Sequence, residues 1–153
     1  MAAQVKPIPE GFHTVTPYLV VDGAEKIINF MTEAFGAQPV FEPMKRPDGK
    51  IMHAEFKIGN SILMIADSSE RAQANSSTLY LYVPDVDAVY QRAVKAGAIS
   101  EMEPANQFYG DRSSGVRDPA GNRWYIGTHV EDVAPGELKK RAAEFMKQQH
   151  KAA

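Results

Sequence analysis

The sequence predicts an α+β fold: two tandem copies of one strand–helix–strand–hairpin unit, followed by a C-terminal helix. Two observations carry this. Gly36-Ala37 recurs as Gly97-Ala98 at an offset of 61, and Gly59-Asn60 as Gly121-Asn122 at 62. Single glycines match by chance, but two dipeptides in frame with one order of elements mark a duplication. The second observation is the stretch QFYGDRSSGVRDPAGNRWYIGTH, residues 107–129. Asp118-Pro119-Ala120-Gly121-Asn122 is a turn, with Pro preset for its second position and Gly-Asn tolerant of positive φ. After it, Trp124 and Ile126 alternate with Tyr125, Gly127 and His129, as on a pleated strand with one buried face.

The elements follow in order. Residues 1–11 hold Pro7, Pro9 and Gly11 and read as an irregular lead-in. Thr14–Val21 is a strand that Pro17 confines to an edge or rim, and Asp22 is placed to cap the next helix. Ala24–Phe35 carries Ala24, Ile27, Ile28, Met31, Ala34 and Phe35 at helical spacing, and Gly36 ends it. Gln38–Met44 is a short strand and Arg46–Gly49 a turn. Lys50–Ile58 and Ser61–Ala66 form a hairpin about Gly59-Asn60, with Met52, Ala54, Phe56 and Ile58 on one face and His53, Glu55 and Lys57 on the other. The polar stretch Asp67–Ser77 is a linker. The second unit then runs through the strand Thr78–Val83, the helix Val86–Ala96 entered at Pro84-Asp85, Gly97, the strand Ile99–Met102 and the closing hairpin. Residues 12–67 and 78–130 are thus the two modules of one domain, and residues 134–150 an amphipathic helix that packs on its own body or on a partner.

Composition limits the function. The chain has 153 residues, a formal charge of −2 and 44% hydrophobic residues, ordinary values for a folded domain with no global attraction to nucleic acid. It has no cysteine, which excludes disulfides, thiolate nucleophiles and thiolate-bound metals. Its apolar runs are too short for a membrane span and its first residues lack the core of a signal peptide, so a cytoplasmic location is expected. There is no phosphate loop, Gly-x-Ser-x-Gly elbow or nucleotide fingerprint, and GDRSSG lacks the strand–loop–helix setting of a phosphate cradle.

The paired units, with DPAGNRWYI closing the second, resemble the vicinal oxygen chelate superfamily of glyoxalase I, extradiol dioxygenases, fosfomycin resistance enzymes and bleomycin-binding proteins. The run FYGDRSSGVRDPAGNRWYIGTHVEDV is most similar to the PhnB-like branch, and the resemblance spans residues 12–133. It implies two βαβββ modules, each curling its sheet into half a barrel with the helix outside. The halves make a cup, within one chain or between the chains of a homodimer. Leu79, Leu81, Val83, Trp124 and Ile126 would face the helices, and Tyr80, Tyr82, Tyr125 and His129 the cup.

Metal-dependent relatives place a ligand on the first and last strand of each module. Those positions fall here on Val15, Leu63 (or Met64 in the adjacent frame), Thr78 and Tyr125, and a shifted first strand offers Thr14 or Thr16. None is a usual carboxylate or imidazole ligand, so no metal is expected. His13, His53, Glu55 and His129 stand against that: His53-x-Glu55 puts an imidazole and a carboxylate on one strand face, as an acid–base pair, an off-pattern metal site or a polar rim. His129 ends its strand, where a solvated or capping histidine is expected. At an offset of 62, Glu55 matches Arg117, which suggests that the two pair or jointly anchor a ligand. Asp111-Arg112 could do the same, although Gly110 points to a bulge.

The expected function is binding of a small aromatic or amphipathic ligand without a metal, with Tyr80, Tyr82, Tyr109 and Tyr125 as walls beside Phe108, and Glu55 and Arg117 as polar anchors. The alternative is a glyoxalase- or dioxygenase-like lyase, isomerase or oxygenase using His53 and Glu55, with or without a divalent metal. A third reading, a purely structural dimeric module, has the cup filled by its own side chains.

Overall fold

A computed structural model describes residues 4–152; the first three residues of the lead-in lie outside the described residues. Two repeats of one strand–helix–strand–hairpin order are present, and the C-terminal helix follows them. The first module is β1 (Tyr18–Val21), α1 (Ala24–Phe35), β2 (Gln38–Pro39), β3 (Met44–Lys45), β4 (Ile51–Ile58) and β5 (Ser61–Asp67). The second is β6 (Thr78–Tyr82), α2 (Val86–Lys95), β7 (Ile99–Asn106), β8 (Asp111–Arg117) and β9 (Arg123–His129), before α3 (Pro135–Lys151). The sheets run β1-β5-β4-β2, with β3 also on β4, and β6-β9-β8-β7. In each, the first strand pairs in parallel with the last, and the remaining pairs are antiparallel.

Local chemistry explains where the strands depart from expectation. The first strand is shorter than Thr14–Val21 because Pro17 has no N–H to donate; its carbonyl still accepts from Met64 N at 2.9 Å. The expected strand Gln38–Met44 is interrupted and survives only as β2 and β3, since Pro39 and Pro43 leave no continuous row of donors. β7 runs on to Asn106, with register shifts on either side of Met102 on the way to Pro104 and Ala105. Asp22 does not cap α1. Its N-cap is Gly23 at φ 80°, and Asp67 at the end of β5 accepts from the Gly23 and Ala24 N–H groups at 2.9 Å each. Asp85 caps α2 by accepting from Ala88 N at 3.1 Å.

The modules share one core. Leu19, Val21, Ala54, Phe56, Leu63 and Ile65 of the first sheet bury against α1, and Val116, Trp124 and Ile126 of the second against α2. The helices pack on each other, Arg92 Nε donates to the Ala34 carbonyl, and the Phe35 ring lies 4.9 Å from the indole of Trp124. Each sheet therefore turns its helical face to the shared interior and its other face away from it. The closing hairpin is locked by Asp118, which is buried. One carboxylate oxygen accepts from the Ala120 and Asn122 N–H groups, the other from the Asn122 amide and from Trp124 Nε1 at 2.9 Å. Asn122 in turn accepts from Ser77 N, which ties the linker to the turn.

Candidate functional site

The outer face of the second sheet carries the densest chemistry. Tyr80 and Tyr82 alternate on β6, and Tyr80 pairs with Tyr125 across to β9. The Tyr80 ring lies 5.0 Å from that of Tyr82 and 6.0 Å, stacked, from that of Tyr125. Asp111, at the start of β8, is opposite His129. It is only 3% exposed, and it collects the cluster. The Tyr80 and Tyr82 hydroxyls donate to its Oδ2 at 2.8 and 2.9 Å, and His129 Nδ1 lies 2.9 Å from its Oδ1. His129 Nε2 reaches Asp132 at 2.8 Å.

Two glycines make this possible. The turn Gln107–Gly110 closes with Gly110 at φ +99°, and a Cβ there would stand 2.2 Å from the Glu131 carbonyl oxygen. That contact pins the start of β8, and with it Asp111, under the chain beyond β9. Gly127 has ordinary strand geometry, yet a Cβ on it would lie 2.5 Å from the Tyr80 hydroxyl. The phenol occupies the space a side chain would fill.

The protons of the cluster are committed. Burial alone would raise the Asp111 carboxyl; hydrogen bonds from His129, Tyr80 and Tyr82 outweigh it and hold the group below the usual carboxylate range. Burial, with the bond to Asp111 and the nearby Tyr109, pushes the Tyr80 phenol well above its ordinary value. The Tyr82 phenol is raised mainly by its bond to Asp111, and the His129 imidazolium is favoured by Asp111 and then Asp132. A carboxylate, two phenols and a histidine make one hydrogen-bonded array with Asp111 as the common partner. His129, expected to be solvated or capping at its strand end, keeps half its side chain exposed and pairs with Asp111.

Around the cluster, Tyr109 is 37% exposed and Phe108 packs edge-on against it at 5.4 Å. Phe145 of α3 meets Phe108 at 5.1 Å. Arg141 fixes that helix by donating to Glu131, Glu137 and the Phe108 carbonyl. α3 thus sits on its own body through its first half, while Phe145 and Met146 remain substantially exposed.

On the first sheet, the His53 ring lies between Tyr18 and Phe41 at 5.8 and 6.2 Å, and its Nε2 is 3.1 Å from Glu55 Oε1. Glu55 also borders a cleft of about 500 Å³ beneath the N-terminal lead, with Phe12, His13 and Met64 on its walls. Arg117 is not brought to Glu55. Arg117 and Arg123 both hold Glu101, which their hydrogen bonds and charge keep below the usual carboxylate range. Asp111 and Arg112 also part ways: Arg112 makes a forked pair with Asp87 of α2 at 2.8 and 2.9 Å.

Strand register explains the failed Glu55–Arg117 match. Tyr18, Met64 and Glu55 stand in one row across the first sheet, and Tyr80, Tyr125 and Gly115 in the equivalent row of the second. The offset is therefore 62 on the first strand of each module, 61 on the last and 60 on the strand between. A two-residue turn joins β4 to β5 and a five-residue turn joins β8 to β9, so the offset drifts across the hairpin. Glu55 corresponds to Gly115, and Arg117 to Lys57.

Residues 11–126 match the Glyoxalase/Bleomycin resistance protein/Dioxygenase superfamily. The chain belongs to this superfamily. An uncharacterised protein of Mycobacterium bovis is 34% identical, over 91% of this chain and 94% of its own. Among solved structures, a PhnB protein from Bacillus cereus superposes with a TM-score of 0.62 at 19% identity, over 76% of this chain and 99% of its own. The fosfomycin resistance protein FosX from Mesorhizobium loti does so at 0.57 and 17%, over 76% and 91%. At these identities the two structures establish the fold. Among the described residues, no helix is long and apolar enough to cross a membrane.

The same register shifts the correspondence among the positions that the resemblance assigns to metal ligands. Because Tyr18 corresponds to Tyr80, Thr78 corresponds to Thr16 and not Val15. Tyr125 corresponds to Met64, while Leu63 matches Trp124 and turns into the core. Two threonines, a thioether and a phenol do not fit a divalent ion, which calls for imidazole or carboxylate donors. Among the described residues, no three His, Asp or Glu side chains converge as a metal cluster elsewhere.

Proposed function

We propose that the protein binds a small aromatic or amphipathic molecule on the outer face of the second sheet, without a metal. The observation that carries this is the Tyr80–Tyr82–Tyr125 surface bonded to buried Asp111. Three rings with partly exposed faces supply stacking area at little entropic cost. The polar ends of Tyr80 and Tyr82 are already organised by Asp111, and Tyr125 stacks on Tyr80, so the surface keeps its shape before a ligand arrives. Glu101 holds Arg117, one of the two expected anchors, and Asp111 and His129 supply the polar centre instead.

The cup is completed by a second copy of the chain. Within one protomer the helical faces meet and the outer faces point away from the shared core, so Tyr82, Met52, Met44 and Tyr18 stay largely exposed. A dimer that lays the first sheet of one copy over the second sheet of the other covers both faces. It also brings the His53–Glu55 pair over the tyrosines.

The test is a thermal-shift screen of aromatic and amphipathic compounds on the metal-free protein, followed by calorimetric titration of the hits. Binding that falls at least about tenfold in Tyr82→Ala supports the reading, a loss of about 1.4 kcal/mol; hits that bind Tyr82→Ala unchanged overturn it. The 3.1 Å contact of His53 with Glu55 favours a second reading, an acid–base pair serving a lyase, isomerase or oxygenase. A stoichiometric divalent metal that disappears in His53→Ala would select that one.

A further inference from the structure

The direction of the hydrogen bonds on the tyrosine face limits which ligands it can accept, on the reading that this face is the binding site. Asp111 is ionised and can only accept, so the Tyr80 and Tyr82 hydroxyls both donate to it. Their protons are spent, and what each hydroxyl can offer a ligand is an oxygen lone pair. Tyr82 is the more open of the two, at 67% exposure, while the Tyr80 oxygen lies near the Ser113 hydroxyl and Gly127. Hydroxyls that donate to a carboxylate are polarised toward a more negative oxygen.

The neighbouring cations are likewise engaged. Arg112 is held by Asp87, Arg117 and Arg123 by Glu101, and Arg141 by Glu131 and Glu137. His129 lies between Asp111 and Asp132, so that trio carries a net negative charge even with the imidazole protonated. The ring faces add their own preference, because the negative face of an aromatic quadrupole attracts a cation.

We propose that this surface selects an organic ammonium ligand, an amine or quaternary nitrogen on an aryl or alkyl body, seated on the rings of Tyr80, Tyr82 and Tyr125. A primary ammonium donates to the Tyr82 hydroxyl oxygen; a quaternary one relies on the rings alone. Carboxylates are rejected, because they need donors and meet lone pairs and a net negative cluster.

Calorimetric titration of the full chain with 2-phenylethylammonium, the neutral isostere 2-phenylethanol and the anion 3-phenylpropionate tests this. The ammonium compound should bind about five- to thirtyfold tighter than the alcohol, the range expected of a cation over aromatic faces, and the carboxylate weaker than both. Tyr82→Phe keeps the ring and removes the acceptor, so it should lower the preference for the primary ammonium several-fold and leave tetraalkylammonium binding nearly unchanged. Asp111→Asn introduces an amide that donates to the tyrosine oxygens and frees their protons, and should abolish or reverse the preference. Equal or tighter binding of the carboxylate or the alcohol overturns the ammonium proposal and leaves the binding function standing. An ammonium preference untouched in Tyr82→Phe and Asp111→Asn overturns it as well, since the cation then sits elsewhere. If none of the phenyl compounds binds, both the ammonium proposal and the choice of this face are refuted.

Discussion

Gly127→Ala tests whether the Tyr80 phenol is held where the structure puts it. An added Cβ would lie 2.5 Å from the hydroxyl and 2.9 and 3.0 Å from Cε1 and Cζ of the ring, against an ordinary contact of at least 3.4 Å. The ring end must move by roughly an ångström to restore ordinary van der Waals contact. It cannot do so freely, because it lies between Tyr82 and Tyr125 and its hydroxyl is bonded to Asp111 at 2.8 Å. Overpacking of this kind costs about 1–3 kcal/mol, and a weakened bond to a charged acceptor adds up to about 1.5 kcal/mol. Replacing a strand glycine returns about 0.5–1 kcal/mol through the unfolded chain. The net expectation is a loss of about 1–3 kcal/mol by urea unfolding, together with loss of ligand binding. Gly115→Ala is the control: it faces Tyr125 at 3.5 Å, an ordinary contact, and should be neutral within about 1 kcal/mol. Tyr80→Leu should largely relieve the first substitution, so the double-mutant cycle shows positive coupling. Equal stability of Gly127→Ala and Gly115→Ala would refute the placement of Tyr80.

Asp118→Ala leaves two turn N–H groups, the Asn122 amide and the buried Trp124 N–H without their acceptor, and should cost about 3–5 kcal/mol in denaturant unfolding, as for a broken buried charged network. The pH dependence has two arms. Asp111 has a depressed folded pKa, so its contribution is present above the unfolded value near 3.9 and is lost as pH falls through the lower folded one. His129 has a raised folded pKa, so its contribution is full below the unfolded value near 6.5 and is lost as pH rises through the higher folded one. Melting temperature should therefore fall in strong acid and again as pH rises above the unfolded histidine value near 6.5; His129→Gln should remove the second step and shrink the first, because its bond to Asp111 is the largest of those that lower that carboxyl. Arg141→Ala should leave the body folded but speed hydrogen exchange along α3, since that side chain bridges Glu131, Glu137 and the Phe108 carbonyl.

Much of the architecture was legible because it rests on short-range chemistry. The α1 stripe, the DPAGN turn and the alternation of Trp124 and Ile126 with Tyr125 depend on spacing and turn preference, which a sequence displays directly. Tyr80, Tyr82 and Tyr125 emerged as one face for the same reason. Asp111 did not emerge as their centre, because its position depends on Gly110 meeting the carbonyl of Glu131, a contact between segments twenty-one residues apart. Asp67 capping α1 in place of Asp22 is a similar case: the better acceptor arrives from the end of β5. Gly127 did carry a signal. A glycine among aromatic residues in a strand marks a close approach, and Tyr80, three strands earlier in sequence but adjacent in the sheet, is what approaches.

The error over Arg117 has a more general cause, and it bears on the site. A duplicated sequence aligns well on its turns, because Gly-Asn pairs are conspicuous, but turns are where insertions accumulate. Five residues in one hairpin against two in the other move every cross-strand neighbour by one position on the last strand and two on the strand before it, relative to the alignment of the turns. A one-residue slip reverses the face of a strand, whereas the two-residue slip on β8 preserves the face and changes only the row. That is why Arg117 kept a plausible outward direction while landing beside Glu101, at the turn end where Lys57 sits in the first module. Corrected for register, the central row reads Tyr18, Met64 and Glu55 in one module and Tyr80, Tyr125 and Gly115 in the other. The first row keeps a carboxylate beside His53; the second gives up its side chain at Gly115 and faces Tyr125 instead. The two halves have thus diverged in chemistry at equivalent positions, an acid and an imidazole on one side and, on the other, two phenols bonded to Asp111 with a third stacked beside them. A composite cup between copies would present a ligand with both surfaces at once, which two identical halves could not.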